Sequence, residues 1–233
     1  MTDPKFWLVV PAAGVGRRMG ADCPKQYLPL NGHTVLDVTL SRLLSQATFD
    51  GCMVPISADD TWWAHTDAAR DARITPCAGG RERADSVLSA LNALDGRAAP
   101  DDWVLVHDAA RPCLHGDDLS RLMANLRDHP VGGLLAAPVA DTLKQSGPDG
   151  VPEVLATVDR SGLWRALTPQ MFRYRLLRRA LADALATGNL ITDEASAIEQ
   201  AGYRPLLVEG RPDNLKITVP SDLALARFIL SQG

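Results

Sequence analysis

Apolar runs and amphipathic stretches alternate along most of this chain. Short runs rich in β-forming residues predict buried strands at residues 6–10, 52–56, 103–106 and 132–139. Apolar residues at helical spacing predict helices between them, at residues 35–44, 82–94 and 117–127. Because strands alternate with helices, the pattern predicts an α/β fold, with a mostly parallel sheet covered by helices on both faces.

The second half of the chain departs from this rhythm. Residues 140–165 contain Gly147-Pro148-Asp149-Gly150, a strong turn signal between two extended stretches, and predict a protruding β-hairpin. We expect one domain over residues 1–233, with this arm inserted at about 139–165. Weaker patterns predict a polar helix or loop at 59–71, a strand at 73–77, helices at 174–186 and 193–201, strands at 205–208 and 215–219, and a last helix from Ser221 or Asp222.

Composition narrows the classes of function. Hydrophobic residues make up 46% of the chain and charged residues 22%, which is ordinary for a globular protein. The net charge of −4 and the lack of a basic tail argue against nucleic acid as a partner. The apolar stretch after the first residues is too short to span a membrane, and the four scattered cysteines are typical of reduced thiols. We therefore expect a cytoplasmic protein that does not bind membranes.

A glycine-rich loop follows the first predicted strand. It carries Gly14, Gly16, Arg17 and Arg18, and Lys25 follows shortly after. Glycines allow main-chain N–H groups to approach phosphate oxygens, and the cations suit a nucleotide triphosphate. The spacing does not match a dinucleotide-binding GxGxxG, and the Gly-Lys-Ser/Thr of a Walker A loop is absent. A plain strand–helix turn with solvated arginines stays open as an alternative.

A second polar cluster follows the strand predicted at 103–106. Asp108 and Arg111 lie just after it, and ligands of parallel α/β sheets bind at the carboxyl ends of strands. Mg²⁺ prefers one or two carboxylates completed by phosphate oxygens and water, so Asp108 is the candidate metal ligand. The alternative is that Asp108 caps a helix or turn by accepting hydrogen bonds from main-chain N–H groups. His107 is expected to be a packed core histidine, and no zinc spacing or GxSxG elbow is present in the sequence.

Several short motifs run in order through nearly the whole chain. The motifs are Pro11-Ala12-Ala13-Gly14 with Gly16-Arg17-Arg18-Met19, Pro24-Lys25-Gln26-Tyr27, Gly79-Gly80 with Glu82-Arg83 and Asp85-Ser86-Val87, Val106 to Pro112, Asp141-Thr142, Thr157 to Arg160, Leu167 to Gln170, Thr192 to Ala195, and Asn214 to Thr218. Each motif is weak or moderate alone, whereas their order is highly specific. Together they resemble the methylerythritol phosphate cytidylyltransferase family.

This resemblance implies a Rossmann-like nucleotidyltransferase fold and a role for each matching residue. The cytosine would be held by Ala12, Ala13, Gly80 and Ser86, and the triphosphate by Gly14, Gly16, Arg18 and Lys25. Asp108 would hold Mg²⁺, and the polyol phosphate would contact Asp108, Arg111, Thr142, Arg160, Thr168 and Lys216. Arg18, Lys25 and Lys216 would be catalytic. The resemblance also implies a homodimer in which the arm carries Arg160 to the neighbouring site.

The implied reaction joins CTP to a small polyol phosphate and releases pyrophosphate. A phosphate monoester is mostly dianionic at neutral pH, so the nucleophile is already ionised and no general base is required. One departure is Arg81, where the family often has aspartate, which leaves base selectivity open. Two rival hypotheses stay open: a ribitol 5-phosphate cytidylyltransferase and a non-catalytic nucleotide-binding module.

Overall fold

The computed structural model describes residues 3–14, 23–147 and 152–232. Its strands are β1 (Phe6–Val9), β2 (Pro29–Leu30), β3 (His33–Thr34), β4 (Gly51–Ile56), β5 (Ile74–Ala78), β6 (Trp103–Val106), β7 (Gly132–Pro138), β8 (Leu143–Ser146), β9 (Val154–Val158), β10 (Trp164–Arg173) and β11 (Leu206–Glu209). Its helices are α1 (Val35–Gln46), α2 (Arg83–Ala93), α3 (Gly116–Leu126), α4 (Tyr174–Ala186), α5 (Glu194–Gln200) and α6 (Pro220–Ser231).

The main sheet has the strand order β11-β7-β10-β6-β1-β4-β5. Every neighbouring pair is parallel except the two pairs made by β10, which runs antiparallel to β6 and to β7. The predicted α/β class with a mostly parallel sheet is therefore confirmed. β1 and β6 lie side by side in the middle, and their carboxyl ends meet at one edge.

Two apolar layers cover the sheet, as the alternation along β1 illustrates. Leu8 packs in the layer that includes Leu36 and Leu40 of α1, whereas Trp7 and Val9 pack in the layer that includes Val87 of α2. Side chains of a strand point alternately to its two faces, and a strand buried on both faces is apolar throughout. This explains why the sequence of β1 shows a continuous apolar run.

The predicted β-hairpin is present. β8 and β9 pair antiparallel with Leu143 opposite Val158, and they form a two-stranded sheet separate from the main one. Val154 and Leu155 are each 64% exposed, which is unusual for apolar side chains in a strand. The turn residues 148–151 lie outside the described part of the chain.

One detail of the sequence-based prediction is wrong, and another is decided between its two alternatives. Residues 215–219 do not form a strand; they cross the carboxyl edge of the sheet, where Ile217 N donates to Ala110 O at 2.8 Å. Residues 59–71 form short 3₁₀ turns at Trp63–His65 and Ala68–Arg70, so the loop alternative holds there.

β10 was not predicted as a strand. It contains Pro169, which argues against a central strand in a sequence pattern, and its register shifts between Ala166 and Gln170. Across residues 3–14, 23–147 and 152–232, none of the helices has both the length and the apolar character needed to cross a membrane.

Candidate active site

Asp108 lies just beyond the carboxyl end of β6 and gathers three cations. Its Oδ1 accepts from Arg83 Nε at 3.0 Å. Its Oδ2 lies 3.1 Å from Arg111 Nε and 3.0 Å from Lys216 Nζ. The carboxylate side chain is only 8% exposed, so these pairs are weakly screened by solvent. Residues from three distant parts of the chain thus converge on one carboxylate.

The three cations decide the charge of this carboxylate. Burial raises the pKa of Asp108, but Arg83, Lys216 and Arg111 outweigh burial and hold that pKa well below its usual range. Asp108 is therefore ionised throughout the neutral range. Asp108 and Arg111, which follow β6, thus lie next to Lys216, which only the resemblance to a family had assigned to the same site.

Arg83 and Glu194 complete the cluster, and the sequence pattern assigned neither of them to it, since Glu194 was interpreted as an acid in the first turn of a helix. Arg83 donates to both carboxylate oxygens of Glu194, at 2.6 Å and 3.0 Å, while the Glu194 side chain is 1% exposed. Burial lowers the pKa of Arg83, and Glu194 and Asp108 more than reverse this effect. Both residues occur within matching motifs, but their separation of 111 positions leaves no local signal for the pair. Among the described residues, the cluster pairs three cations with two carboxylates, which leaves an excess of one positive charge.

A narrow main-chain slot lies beside this cluster. Gln26 Nε2 donates to Ala12 O at 2.6 Å and to Gly14 O at 2.9 Å, which ties the segment after β1 to the turn Lys25–Tyr27. A Cβ atom at Gly79 would collide with the side chain of Ala13, so only glycine allows these two segments to touch. Gln26 stands within a matching motif but was given no role, because its two partners are main-chain atoms.

Gly80 and Ser86 form the other wall of the slot. Gly80 N donates to Ser86 Oγ at 3.0 Å, and Ser86 Oγ donates to Glu82 O at 3.1 Å. A Cβ atom at Gly80 would collide with Asp85, so this position also requires glycine. The hydroxyl of Ser86 thus shapes the loop from Gly80 to Glu82 before any ligand arrives.

One cavity of about 450 Å³ connects the slot with the cations. This volume lies within the range typical of small-molecule sites. Lys25 lies on its wall and donates from Nζ to Ile217 O at 2.9 Å. The lining includes Ala12, Ala13, Gly14, Lys25, Gly80, Arg81, Ser86, Asp108 and Lys216. The predicted residues Gly16 and Arg18 lie outside the described part of the chain.

The predicted residues Thr142, Arg160 and Arg111 do not line this cavity. Thr142 and Arg160 are exposed residues of the arm, just beyond the Leu143–Val158 pair, and neither lines the cavity. Arg111 is mostly buried behind Asp108, with Nη1 donating to Asn214 O at 2.7 Å. The structure therefore brings together those nucleotide and metal candidates that it describes, and it leaves the two arm residues apart from them.

Thr168 and His107 lie beneath the cluster. Thr168 is 4% exposed, and its Oγ1 accepts from Asp108 N at 3.1 Å. Oγ1 also lies 3.0 Å from Nδ1 of His107, whose Nε2 lies 2.9 Å from Arg111 O. Burial lowers the pKa of His107 to about 4, so its imidazole is neutral near pH 7. The expectation that His107 is a buried core residue is consistent with its complete burial.

The donor set fits a magnesium ion that arrives with phosphates. Within residues 3–14, 23–147 and 152–232, no group of three or more His, Cys, Asp or Glu side chains could hold a metal alone. Mg²⁺ needs only one or two protein carboxylates when phosphate oxygens and waters complete its shell. Asp108 on the cavity wall supplies one such carboxylate.

A mostly parallel sheet whose carboxyl edge joins a main-chain slot to a cation cluster defines a protein of the nucleotidyltransferase class. The family model described as 2-C-methyl-D-erythritol 4-phosphate cytidylyltransferase (IspD) matches residues 6–232. The enzyme of that name from Pseudomonas entomophila is 56% identical over 225 residues, which cover 96% of this chain and 95% of that protein. This chain belongs to the 2-C-methyl-D-erythritol 4-phosphate cytidylyltransferase family.

Solved structures agree with this assignment. A crystal structure of a 4-diphosphocytidyl-2C-methyl-D-erythritol synthase has a TM-score of 0.85 at 40% identity and covers 99% of this chain and 100% of its own. That of the cytidylyltransferase from Francisella tularensis has a TM-score of 0.83 at 36% identity, covering 97% and 99%. The predicted enzyme class, a cytidylyltransferase, is confirmed.

Proposed function

We propose that this protein transfers CMP from CTP to 2-C-methyl-D-erythritol 4-phosphate, giving 4-diphosphocytidyl-2-C-methyl-D-erythritol and pyrophosphate in the non-mevalonate route to isoprenoid precursors. The observation that carries the proposal is the shared cavity, lined by the slot around Ala13 and Gly80 and by Lys25 and Lys216. A slot lined by small residues and two lysines thus share one cavity, which supports the binding of a nucleotide triphosphate.

The slot selects the base through its size and its main-chain atoms. Small residues at positions 12, 13 and 80 leave room for a pyrimidine ring. The C4 amino group of cytosine needs an acceptor, and the proposal assigns that role to a main-chain carbonyl of this segment. UTP presents an acceptor at that position, and two facing acceptors cost roughly 1–3 kcal/mol. CTP is therefore the expected nucleotide.

The chemical step is an attack of one phosphate on another. A phosphate oxygen of the polyol phosphate forms a bond to the α-phosphorus of CTP, and the bond from that phosphorus to the bridging oxygen of pyrophosphate breaks. The attacking oxygen is already ionised near pH 7, so no protein base has to remove a proton. The obstacle is repulsion between two anions, and catalysis rests on positioning and charge neutralisation.

The lysines on the cavity wall neutralise this charge. In the proposal, Lys25 with Arg18 stabilises the α-phosphate and the departing pyrophosphate, and Lys216 approaches the α-phosphate from the opposite side of the cluster. Asp108 would hold Mg²⁺, which when bound supplies further neutralisation of the phosphate oxygens. Asp108 Oδ2 contacts Lys216 Nζ at 3.0 Å, and this contact holds the Lys216 ammonium on the cavity wall.

The polyol phosphate is proposed to contact the charged residues at the rim of the cavity and the arm. Thr142 and Arg160 are exposed at the base of the hairpin, where they are accessible to a second subunit. The exposed apolar residues Val154 and Leu155 of the same hairpin support a homodimer formed through the arm. Arg160 would then complete the site of the partner subunit. All four cysteines are free, which supports a cytoplasmic location.

A pyrophosphate-release assay tests the proposal. The purified protein is incubated with CTP, Mg²⁺ and either 2-C-methyl-D-erythritol 4-phosphate or ribitol 5-phosphate. Release with the first substrate, at a kcat/KM well above that with the second, is the expected result. Faster turnover of ribitol 5-phosphate would favour that rival substrate, and CTP binding without release would indicate a nucleotide-binding module.

A further inference from the structure

The side-chain amide of Gln26 is buried in the wall of the cavity. Gln26 is 4% exposed and lines the cavity beside the slot. Its Nε2 donates to Ala12 O at 2.6 Å and to Gly14 O at 2.9 Å. Both partners are carbonyls that can only accept, so the amide nitrogen has to face them, and both of its hydrogens are used. The orientation of this amide therefore follows from its partners and does not depend on pH.

The two carbonyls that Gln26 holds belong to the segment that follows β1. Main-chain hydrogen bonds attach this segment to β4 as far as Ala12, since Val10 N donates to Met53 O and Ala12 N donates to Pro55 O, each at 2.9 Å. Within the described residues, the hydrogen bonds of the segment beyond Ala12 N are the two that Gln26 donates. Gln26 therefore fixes a stretch of main chain that the sheet no longer holds.

A carbonyl that is fixed also fixes the N–H group of the same peptide. The peptide between Ala12 and Ala13 is trans, and in a planar trans peptide the C=O and N–H bonds point in opposite directions. Because Ala12 O accepts from Gln26, the N–H group of Ala13 points away from Gln26. The side-chain amide of Gln26 therefore sets which main-chain donors and acceptors the segment presents to a base in the slot.

The turn that carries Gln26 also carries the ammonium that the proposed mechanism uses. Gln26 and Lys25 belong to the 3₁₀ turn Lys25–Tyr27, which is anchored by Tyr27 Oη donating to Asp60 Oδ2 at 2.7 Å. Lys25 Nζ donates to Ile217 O at 2.9 Å. One residue of this turn holds the slot segment and its neighbour supplies the ammonium. The turn thus fixes the position of the slot relative to Lys25.

We propose that Gln26 is a positioning residue for base selection, because its amide fixes the main chain from Ala12 to Gly14 in the orientation that accepts cytosine and disfavours uracil. This inference rests on the proposed function, in which a main-chain carbonyl of this segment accepts from the C4 amino group of cytosine. Without the amide, the peptides of the segment can rotate and turn an N–H group toward the C4 oxygen of uracil. The preference for CTP over UTP then falls.

Gln26→Met tests this inference, because methionine keeps the length of the side chain and removes both donors. Two facing acceptors disfavour UTP by roughly 5–150-fold, so loss of the fixed acceptor should lower the ratio of kcat/KM for CTP and UTP at least about fivefold. The KM for the polyol phosphate should change less than about threefold, since Gln26 acts on the nucleotide side of the cavity. The ratio for the two nucleotides does not depend on the amount of folded protein, so reduced stability alone cannot change it.

Gln170→Met is the matched control. Gln170 is 1% exposed, and its Nε2 donates to Asp193 Oδ2 at 2.9 Å. It lies on β10 and does not line the cavity. Loss of this buried amide should lower Tm and leave the CTP/UTP ratio within about twofold of the wild-type value. An unchanged ratio in Gln26→Met, or an equal fall in Gln170→Met, would overturn the proposal.

Calorimetric titration with CTP and with UTP measures the same preference without turnover. A wild-type protein that binds CTP but releases no pyrophosphate would refute the proposed function, and the two dissociation constants would still test the role of Gln26. Gln26→Glu is a second variant of the same shape, in which an acceptor replaces the donors and faces the two carbonyls. It should lower the preference for CTP at least as much as Gln26→Met, and an unchanged preference would count against the proposal.

A measurement on the wild-type protein covers the case in which neither variant folds. Nitrogen-15 NMR should show that the side-chain amide hydrogens of Gln26 exchange slowly with solvent, because both are buried and hydrogen-bonded. Fast exchange, as in an exposed glutamine, would show that the amide does not hold the segment and would refute the inference.

Discussion

Replacement of Glu194 by glutamine removes the anchor of Arg83 while keeping the shape of the side chain. Glu194 is 1% exposed and accepts two hydrogen bonds from Arg83, so solvent cannot replace the lost charge. Removal of one partner from a buried ion pair costs about 3–5 kcal/mol. Arg83 keeps its contact to Asp108 at 3.0 Å and the glutamine keeps one acceptor, so we expect a loss near the lower end, about 3 kcal/mol.

Thermal unfolding measures this loss. For a protein of 150–250 residues, 1 kcal/mol corresponds to about 2–4 °C in Tm, so Glu194→Gln should lower Tm by roughly 6–12 °C. Asp183→Asn is the matched control, because the Arg179–Asp183 pair is 3.5 Å apart and its side chains are 82% and 70% exposed. An exposed pair is worth at most about 1 kcal/mol, so the control should change Tm by less than about 4 °C.

The kinetic consequence follows from the shared guanidinium. Without the Glu194 carboxylate, Arg83 is held by Asp108 and one neutral amide oxygen and can move toward the cavity, so kcat should fall together with Tm. If Glu194→Gln unfolds within the range of the control variant, the buried pair contributes little and the reasoning is refuted. A normal kcat in a destabilised Glu194→Gln would restrict the pair to a structural role.

The remaining predictions concern the cavity wall and its charge. Lys25→Ala should lower kcat about 100–1000-fold, as expected for loss of one preorganised charge contact. Lys5→Ala, at an exposed position, should leave kcat unchanged. Circular dichroism spectra like that of the wild type would show that both variants fold normally. In a pH series, kcat/KM should fall with a midpoint near pH 6 as the substrate phosphate is protonated. Asp108 does not contribute to this fall in kcat/KM, because its lowered pKa keeps the carboxylate ionised. Its contribution to the stability of the fold is lost only as pH falls below about 4. Arg81→Asp should change the ratio of kcat/KM for CTP and UTP less than about threefold, since the Arg81 side chain is exposed; a larger change would assign it a role in base selection.

The sequence predicts the parts of the site that obey a local rule. Gly14 and Asp108 each follow an apolar strand, and ligand sites of such sheets lie at the carboxyl ends of strands, so their shared edge could be predicted from the pattern alone. The position of Lys216 could not be predicted from the pattern. Its segment has a strand-like pattern, but it crosses the carboxyl edge of the sheet, and Lys216 pairs with Asp108, which is distant in the sequence. Only the resemblance to a family assigned it to the site.

Long-range partners explain the other omissions. Arg83 and Glu194 are 111 residues apart, and a charged residue at the start of a helix is usually interpreted as a capping or solvated group. β10 was missed because Pro169 interrupts the pattern at the point where Thr168 turns inward to Asp108. In both cases, the Arg83–Glu194 pair and the Thr168-Pro169 segment, the residue types serve contacts at the site and depart from the pattern typical of their own helix or strand.

Asp108 has a role in this protein even before any metal is considered. Three cations close to one carboxylate repel one another; at an effective dielectric of 20, unit charges about 5.5 Å apart repel by about 3 kcal/mol. Asp108→Asn removes the central negative charge and leaves Arg83, Arg111 and Lys216 uncompensated on that side. The variant should therefore be less stable than the wild type in the absence of Mg²⁺, by about 3–5 kcal/mol.

An anion can take the place of the lost carboxylate. Pyrophosphate without Mg²⁺ should bind Asp108→Asn more tightly than the wild type and restore part of its Tm, whereas turnover of CTP with Mg²⁺ should fall at least 100-fold. Calorimetric titration with pyrophosphate and thermal unfolding at several pyrophosphate concentrations measure both effects. If Asp108 served only as a metal ligand, its replacement would leave metal-free pyrophosphate binding unchanged. The predicted gain in pyrophosphate affinity thus distinguishes a carboxylate that positions the three cations from one whose only role is to bind a magnesium ion.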